Sequence, residues 1–213
     1  MIKNKKTMKK LSVYIVLLLL LLLLVASSNV FSQKTVNKDN YTSQVQKEVG
    51  DLNNDKQNDK VMLEMDIEDE TRPLRLQIFL SQPDKKLQMV VSSTKIIEPQ
   101  YPINKKGEHN GNPIPDFFIE EGVLRMLTDI NNRKSSYEFR LKQNNFELIK
   151  ISRVLWDGKE TTSETEIDLI KGTKSEYDRD FSPNKKNIKN TKLKPIKTLP
   201  KIQDLSFSEL ESF

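Results

Sequence analysis

Ahead of an apolar alternation that begins at Val61 stands the run Asp51-Leu52-Asn53-Asn54-Asp55-Lys56-Gln57-Asn58-Asp59. Asp51, Asn53, Asp55 and Asp59 fall on positions 1, 3, 5 and 9, and Gln57 offers its backbone carbonyl at position 7. Calcium takes roughly six to eight oxygen ligands, and carboxylates at odd spacing in a tight turn converge on one point. Asp51, Asn53, Asp55, Gln57 and Asp59 are therefore the candidate metal ligands, with Ca2+ the candidate cofactor. The competing expectation is that Asp and Asn here simply build turns.

Other residues offer weaker chemistry. Glu120, Glu121, Glu164 and Glu166 are the acids available to a carboxylate-based hydrolase acting on polysaccharide. Glu164, Glu166 and Asp168 alternate along one strand face, which more often marks a wet surface that discourages edge pairing. His109 is the sole histidine; with no Gly-x-Ser-x-Gly elbow beside it, it reads as an exposed loop residue. Trp156, the only tryptophan, reads as a core or rim anchor before a sugar platform. Cys 0 removes disulfides, thiolate metal sites and cysteine catalysis together. The residues name no reaction, so the expected class is non-enzymatic, with the hydrolase as the rival.

The elements that must position these groups begin with an export signal. Residues 1–10 hold five lysines and no acid, residues 11–26 are apolar with eight consecutive leucines, and residues 27–33 are small and polar. That is the order of a secretory signal. At about 1.5 Å per residue the apolar run spans roughly 24 Å, short of the ~30 Å bilayer core. Residues 1–32 are accordingly expected to be a cleaved signal peptide, with Val30 and Ser32 ahead of the cut, and an inner-membrane anchor over 11–26 is the alternative. Either way the rest of the chain is expected outside, periplasmic or secreted. Without residues 1–32 the balance is 30 bases, 35 − 5, against 30 acids. A neutral body lacks the footprint for nucleic-acid backbones, so no nucleic-acid partner is expected.

Ala26 is the last alanine of the chain, and the strand formers Val, Ile and Thr take over. Residues 33–46 read as a flexible leader and 47–183 as an all-β domain. Val61, Leu63, Met65 and Ile67 alternate on one face, as do Leu74, Leu76, Ile78 and Leu80, and Leu87, Met89 and Val91 after a Pro83-Asp84-Lys85 turn. Residues 95–116, with Pro99, Pro102, Gly107, Gly111, Pro113 and Pro115, form a long loop. Turns at Glu121-Gly122, Asn144-Asn145 and Lys171-Gly172 predict hairpins joining 117–120 to 123–127, 137–142 to 146–151, and 165–170 to 174–181. The expected fold is an antiparallel meander or sandwich of hairpins, preceded by a signal helix. Residues 184–213 form a basic tail with seven lysines up to Lys201. It faces a body of opposite sign, since residues 33–183 hold 23 bases and 27 acids.

At residues 50–63 the chain resembles the FG-GAP and VCBS-type repeat, whose loop runs Asp-x-Asn/Asp-x-Asp-Gly-x-x-Asp before an apolar strand. The resemblance implies a calcium-binding loop between strands of a propeller blade. Lys56 stands where that family has its glycine, and Lys60 where it has an apolar residue. With one copy of the loop, a multi-bladed propeller is not expected. The order of acidic loop, the 75–80 strand Arg-Leu-Gln-Ile-Phe-Leu, the 97–100 run Ile-Glu-Pro-Gln and then hairpins is also similar to small secreted proteins of Bacteroidota-type bacteria. That likeness implies export and a β fold. The expected role is binding or structural, toward an envelope or extracellular partner, with the membrane touched only through an uncleaved N-terminal segment.

Overall fold

The structure is a computed structural model that describes residues 39–159, 161–180, 186–193 and 197–213. The expected signal at 1–32, residues 33–38 of the leader, Phe181, and Lys185 and Lys194 of the basic segment lie outside the described residues.

Eleven strands are described: β1 Ser43–Gly50, β2 Asp59–Met65, β3 Leu74–Ser81, β4 Leu87–Ser93, β5 Asp116–Glu120, β6 Val123–Ile130, β7 Arg133–Lys142, β8 Asn145–Trp156, β9 Thr161–Asp168, β10 Thr173–Asp180 and β11 Lys186–Lys192, followed by a short helix α1 Phe207–Ser212. They form two antiparallel sheets, one in the order β1-β2-β3-β4 and one in the order β11-β10-β9-β8-β7-β6-β5. The fold is all-β, and one apolar cluster draws on both sheets.

The period-2 pattern accounts for the first sheet. Val61 pairs with Ile78 and Leu63 with Leu76, so apolar side chains sit opposite one another and all four are buried. Ile67 departs from the expected face and is 56% exposed. The Asp66 carboxylate accepts the N–H groups of Glu68 and Asp69 at 3.0 and 3.1 Å, which ends β2 and starts a turn before Ile67 can pair. In β4 the expected face breaks as well: Val91 is buried, whereas Leu87 and Met89 are exposed. Ile78 pairs with Val91 but the next residue, Phe79, pairs with Met89. Val90 is thus the extra residue of a bulge, and one residue of slip turns the earlier side chains to the other face.

In the second sheet the Glu121-Gly122 turn forms as the sequence predicts, with φ of 51° and 76°. The next expected turn moves by one residue: Gln143 and Asn144 take φ of 48° and 61° and Asn145 already pairs with Lys142. This register sets Phe146 against Leu141 and buries Phe146 and Leu148 completely. A further hairpin, unread in the sequence, turns at Asn131-Asn132, both at positive φ. The loop before β10 has four residues, 169–172, between the paired Asp168 and Thr173.

Where the two sheets meet at β1 and β5, one side chain bonds across. Gln46 donates Nε2 to the Phe117 carbonyl at 2.9 Å and accepts the Phe117 N–H at 3.1 Å, so its primary amide imitates a strand neighbour. A bulge between Gln44 and Gln46 accompanies this contact. β1 opens at Ser43, four residues ahead of the boundary read from the sequence. Gln46→Ala is expected to cost about 1–3 kcal/mol, because it strips both partners from a buried peptide group. Gln46→Glu keeps the acceptor, sets a carboxylate against the carbonyl, and is expected to cost at least as much. Urea unfolding checks both through a lowered midpoint at unchanged slope.

Beyond residue 183 the chain continues to contribute structure. β11 pairs with β10, and a later stretch docks on β8. There Leu148 donates its N–H to the Pro200 carbonyl at 2.8 Å and Ile202 donates to the Phe146 carbonyl at 2.9 Å. β9 pairs with β8 only from Lys150 onward, so this segment occupies the ladder positions left open beside Phe146 and Leu148. Ile202, Leu205 and Leu210 are buried. Ser206 and Glu209 form a reciprocal capping box at the start of α1.

Candidate functional site

The acidic loop, residues 51–59, connects β1 to β2 and is organised by its own carboxylates. Asp51 accepts the N–H groups of Asn53 and Asp55 at 3.2 Å each on Oδ1, and that of Lys56 at 2.7 Å on Oδ2. Asp55 accepts the Gln57 N–H at 2.7 Å and the Asn53 amide at 3.0 Å. Lys56 stands at φ 67°, the left-handed conformation that the expected glycine position demands, although a Cβ there carries a cost of order 1 kcal/mol. The sharp turn therefore survives the lysine.

Asp59 has a different task. It is fully buried, and its two oxygens accept the N–H groups of Leu52 at 2.7 Å and Ser81 at 2.8 Å. One carboxylate thus ties the start of the loop to the end of β3. Burial pushes its carboxyl above the ordinary aspartate range, the Ser81 and Leu52 N–H groups pull it down, and the charges of Asp55 and Asp51 add to the rise. At Asp51 burial also pushes upward, but the N–H groups of Lys56, Asp55, Asn53 and Asn54 outweigh it and the net direction is down. The signs follow from linkage. Asp51 contributes stability that is present above the ordinary range and lost as pH falls through its lowered value, whereas the Asp59 contribution is present below that range and lost as pH rises through its raised one.

The loop rests on the β5–β6 hairpin. A Cβ on Gly122 would meet the end of the Asn54 side-chain amide at 2.6 Å, and the turn favours glycine for its φ of 76°. Asp51, Asn53, Asp55, Gln57 and Asp59 are thereby held in one small turn. Their oxygens are spent first on backbone N–H groups, and among the described residues no three His, Cys, Asp or Glu side chains gather as a metal site. A carboxylate oxygen keeps a second lone pair after one such bond, which is the capacity a cation would use.

The four acids of the hydrolase reading separate into two pairs. Glu120 is salt-bridged to Arg125 and Glu121 lies in the adjoining turn, while Glu164 and Glu166 are on β9, where Glu166 faces Lys150 at 3.9 Å. Three strands stand between β5 and β9, so at about 4.8 Å per strand spacing the pairs are roughly 19 Å apart. Glycosidase carboxylates work at roughly 5 to 9.5 Å. Trp156 is 50% exposed at the end of β8 and is not a core anchor.

What sequence reasoning missed is a groove of about 340 Å³ against β6, β7 and β8, lined by Pro113, Ile114, Leu127, Ser136, Ser152 and Val154 among others. Leu127 pairs with Ser136 and Ser136 with Ser152, so these three form one cross-strand row with small residues at its floor. The only sequence signal was the proline-rich loop itself, since the row exists only once the register is set. Among the described residues no helix is long and apolar enough to cross a membrane. Comparisons with protein-family models, with curated proteins and with solved structures each return no match.

Proposed function

We propose that this is an exported, non-enzymatic β protein that binds an envelope or extracellular partner, its acidic loop serving as a structural turn and as a candidate calcium site. The observation that carries the reading is the groove beside Pro113 and Ile114, apolar at Leu127 and Val154 with serines between. A concave, largely apolar surface with a few polar groups is the usual form of a binding site. Export rests on the basic, leucine-rich N-terminal sequence.

Two measurements test it. Retention of the protein on isolated envelope is expected to be lost in Val154→Glu at an unchanged melting midpoint; retention equal to wild type removes the groove from the account. Calcium at about a hundred times its Kd adds ~2.7 kcal/mol, which for a chain of this size is expected to raise the midpoint by roughly 5–10 °C over chelator. Identical midpoints leave the loop as a turn alone. The rival hydrolase is read by a glycan-hydrolysis screen, in which activity lost on changing Glu120, Glu121, Glu164 or Glu166 to glutamine overturns the binding reading.

A further inference from the structure

Trp156 ends β8 on the face of the larger sheet that carries the groove. Val154 lines the groove, and Val154 and Trp156 pair with Glu164 and Thr162 without a register shift, so both side chains project from one face. At about 3.4 Å per residue the Trp156 Cα lies roughly 7 Å beyond that of Val154 along the strand. The only tryptophan of the chain is half exposed there, which leaves much of a large aromatic surface in water.

The polar groups of the groove are unspent. Asp129 and Lys134 stand opposite each other in the β6–β7 ladder. Among the described residues, neither they nor Asp116, Ser136 and Ser152 have a side-chain hydrogen bond or ion pair. Nearby on this face charges do find partners: Arg125 binds Glu120 and Glu138, and Lys150 faces Glu166 at 3.9 Å. The groove thus offers two carboxylates, an ammonium that only donates, and two hydroxyls that donate and accept, set around Leu127 and Val154.

That complement selects among occupants. An acyl chain would bury the carboxylates and the ammonium without partners. A peptide strand is read through the free backbone of a sheet edge, whereas the groove lies on a face whose backbone groups are spent in the β6–β7–β8 ladders. A polyanion would meet two carboxylates against one lysine. A sugar ring is uncharged, carries hydroxyls that donate and accept, and packs an apolar C–H face on an aromatic ring. We infer that the groove and Trp156 form one site for a neutral polysaccharide, with the indole stacked on one ring and an adjoining ring over the groove floor. This rests on the reading of the groove as the binding site and names the chemistry of what it takes.

Because the chain has one tryptophan, its emission reports this site alone. Titration with soluble xylan, mannan, mixed-linkage β-glucan and dextran is expected to give, for at least one of them, a saturable blue shift and protection from acrylamide quenching. Polygalacturonate is expected to leave the emission unchanged. In native gels containing the responding polysaccharide, Trp156→Ala is expected to bind about tenfold more weakly and Trp156→Phe to keep most of the retardation. No response to any of the four, a response to polygalacturonate in their place, or a Trp156→Ala protein retarded as strongly as wild type each overturns the glycan site. If Val154→Glu abolishes envelope retention while no polysaccharide responds, the groove stays a binding site and only its glycan ligand is lost. If retention survives Val154→Glu and no polysaccharide responds, both readings fail.

Discussion

Asp59→Ala is expected to lower the unfolding free energy by roughly 3 kcal/mol, the largest single loss among the acidic-loop residues. The side chain fills little apolar volume, so the effect is not a cavity. It arises because the Leu52 and Ser81 N–H groups, both held by this one carboxylate, are left in an interior where Asp59 itself has no exposed surface. Charge-assisted bonds of this kind contribute about 1.5–3 kcal/mol each, and an orphaned donor keeps its desolvation cost. Asp59→Asn should recover only part of the loss, since its NH2 group points a donor at one of the two donors. The opposite expectation holds for Asp55→Ala: the bonds its carboxylate accepts from the Asn53 amide and the Gln57 N–H are exposed, water replaces the carboxylate, and the change should stay within about 0.5 kcal/mol. Urea unfolding of the three variants provides the comparison. If Asp59→Ala and Asp55→Ala fall together, the buried tie between the loop and β3 is not what holds this turn.

The second large effect is expected at Arg153. Its guanidinium is nearly buried and donates to the main-chain oxygens of Leu210, at 2.7 Å, and Phe213. Helix α1 carries no basic residue in its last turn, so the charge that satisfies its terminal carbonyls arrives from β8. Beside it, Glu211 binds Arg133 and accepts the Tyr137 hydroxyl. Burial pushes the Tyr137 hydroxyl pKa upward, opposed by its bond to Arg153 and reinforced by the bond to Glu211, which keeps it a donor. Arg153→Met fills the space, removes both donations, and is expected to cost about 3 kcal/mol. Proteolysis after residue 197 should rise in parallel, because the docked segment loses its far anchor while Ile202 keeps its place on β8. A Tyr137→Phe and Glu211→Gln double-mutant cycle should show a coupling of about 1 kcal/mol. Additive losses in that cycle, or an Arg153→Met protein as stable as wild type, would mean that apolar burial of Leu205 and Leu210 alone seats the helix.

Legibility in the sequence varied with the range of the interaction. The faces of β2 and β3 were readable because alternation is local and the strands pair in register with like residues opposite. The same rule misassigned Leu87 and Met89, since the bulge at Val90 is settled by which neighbour β4 meets on β3. Gln143-Asn144 and Asn144-Asn145 tolerate positive φ about equally, and the choice between them is made by Phe146 and Leu148, which reach the core in one register only. The acidic loop was legible as a turn from its residue types. That Asp59 is buried and bonded to Ser81, 22 residues away, was not.

Composition, alternation and turn chemistry by themselves determined an all-β chain of successive hairpins, because propensity and period act between residues a few positions apart. The pairing of Gln46 with Phe117, the docking of residues 200–202 on the open flank of β8, the Arg153 anchor on α1 and the groove under Pro113 were decided only in the tertiary structure. Each joins groups 50 or more residues apart or from several strands, and each answers the same demand, that a polar backbone group taken out of water find a partner from whatever element has come to lie beside it.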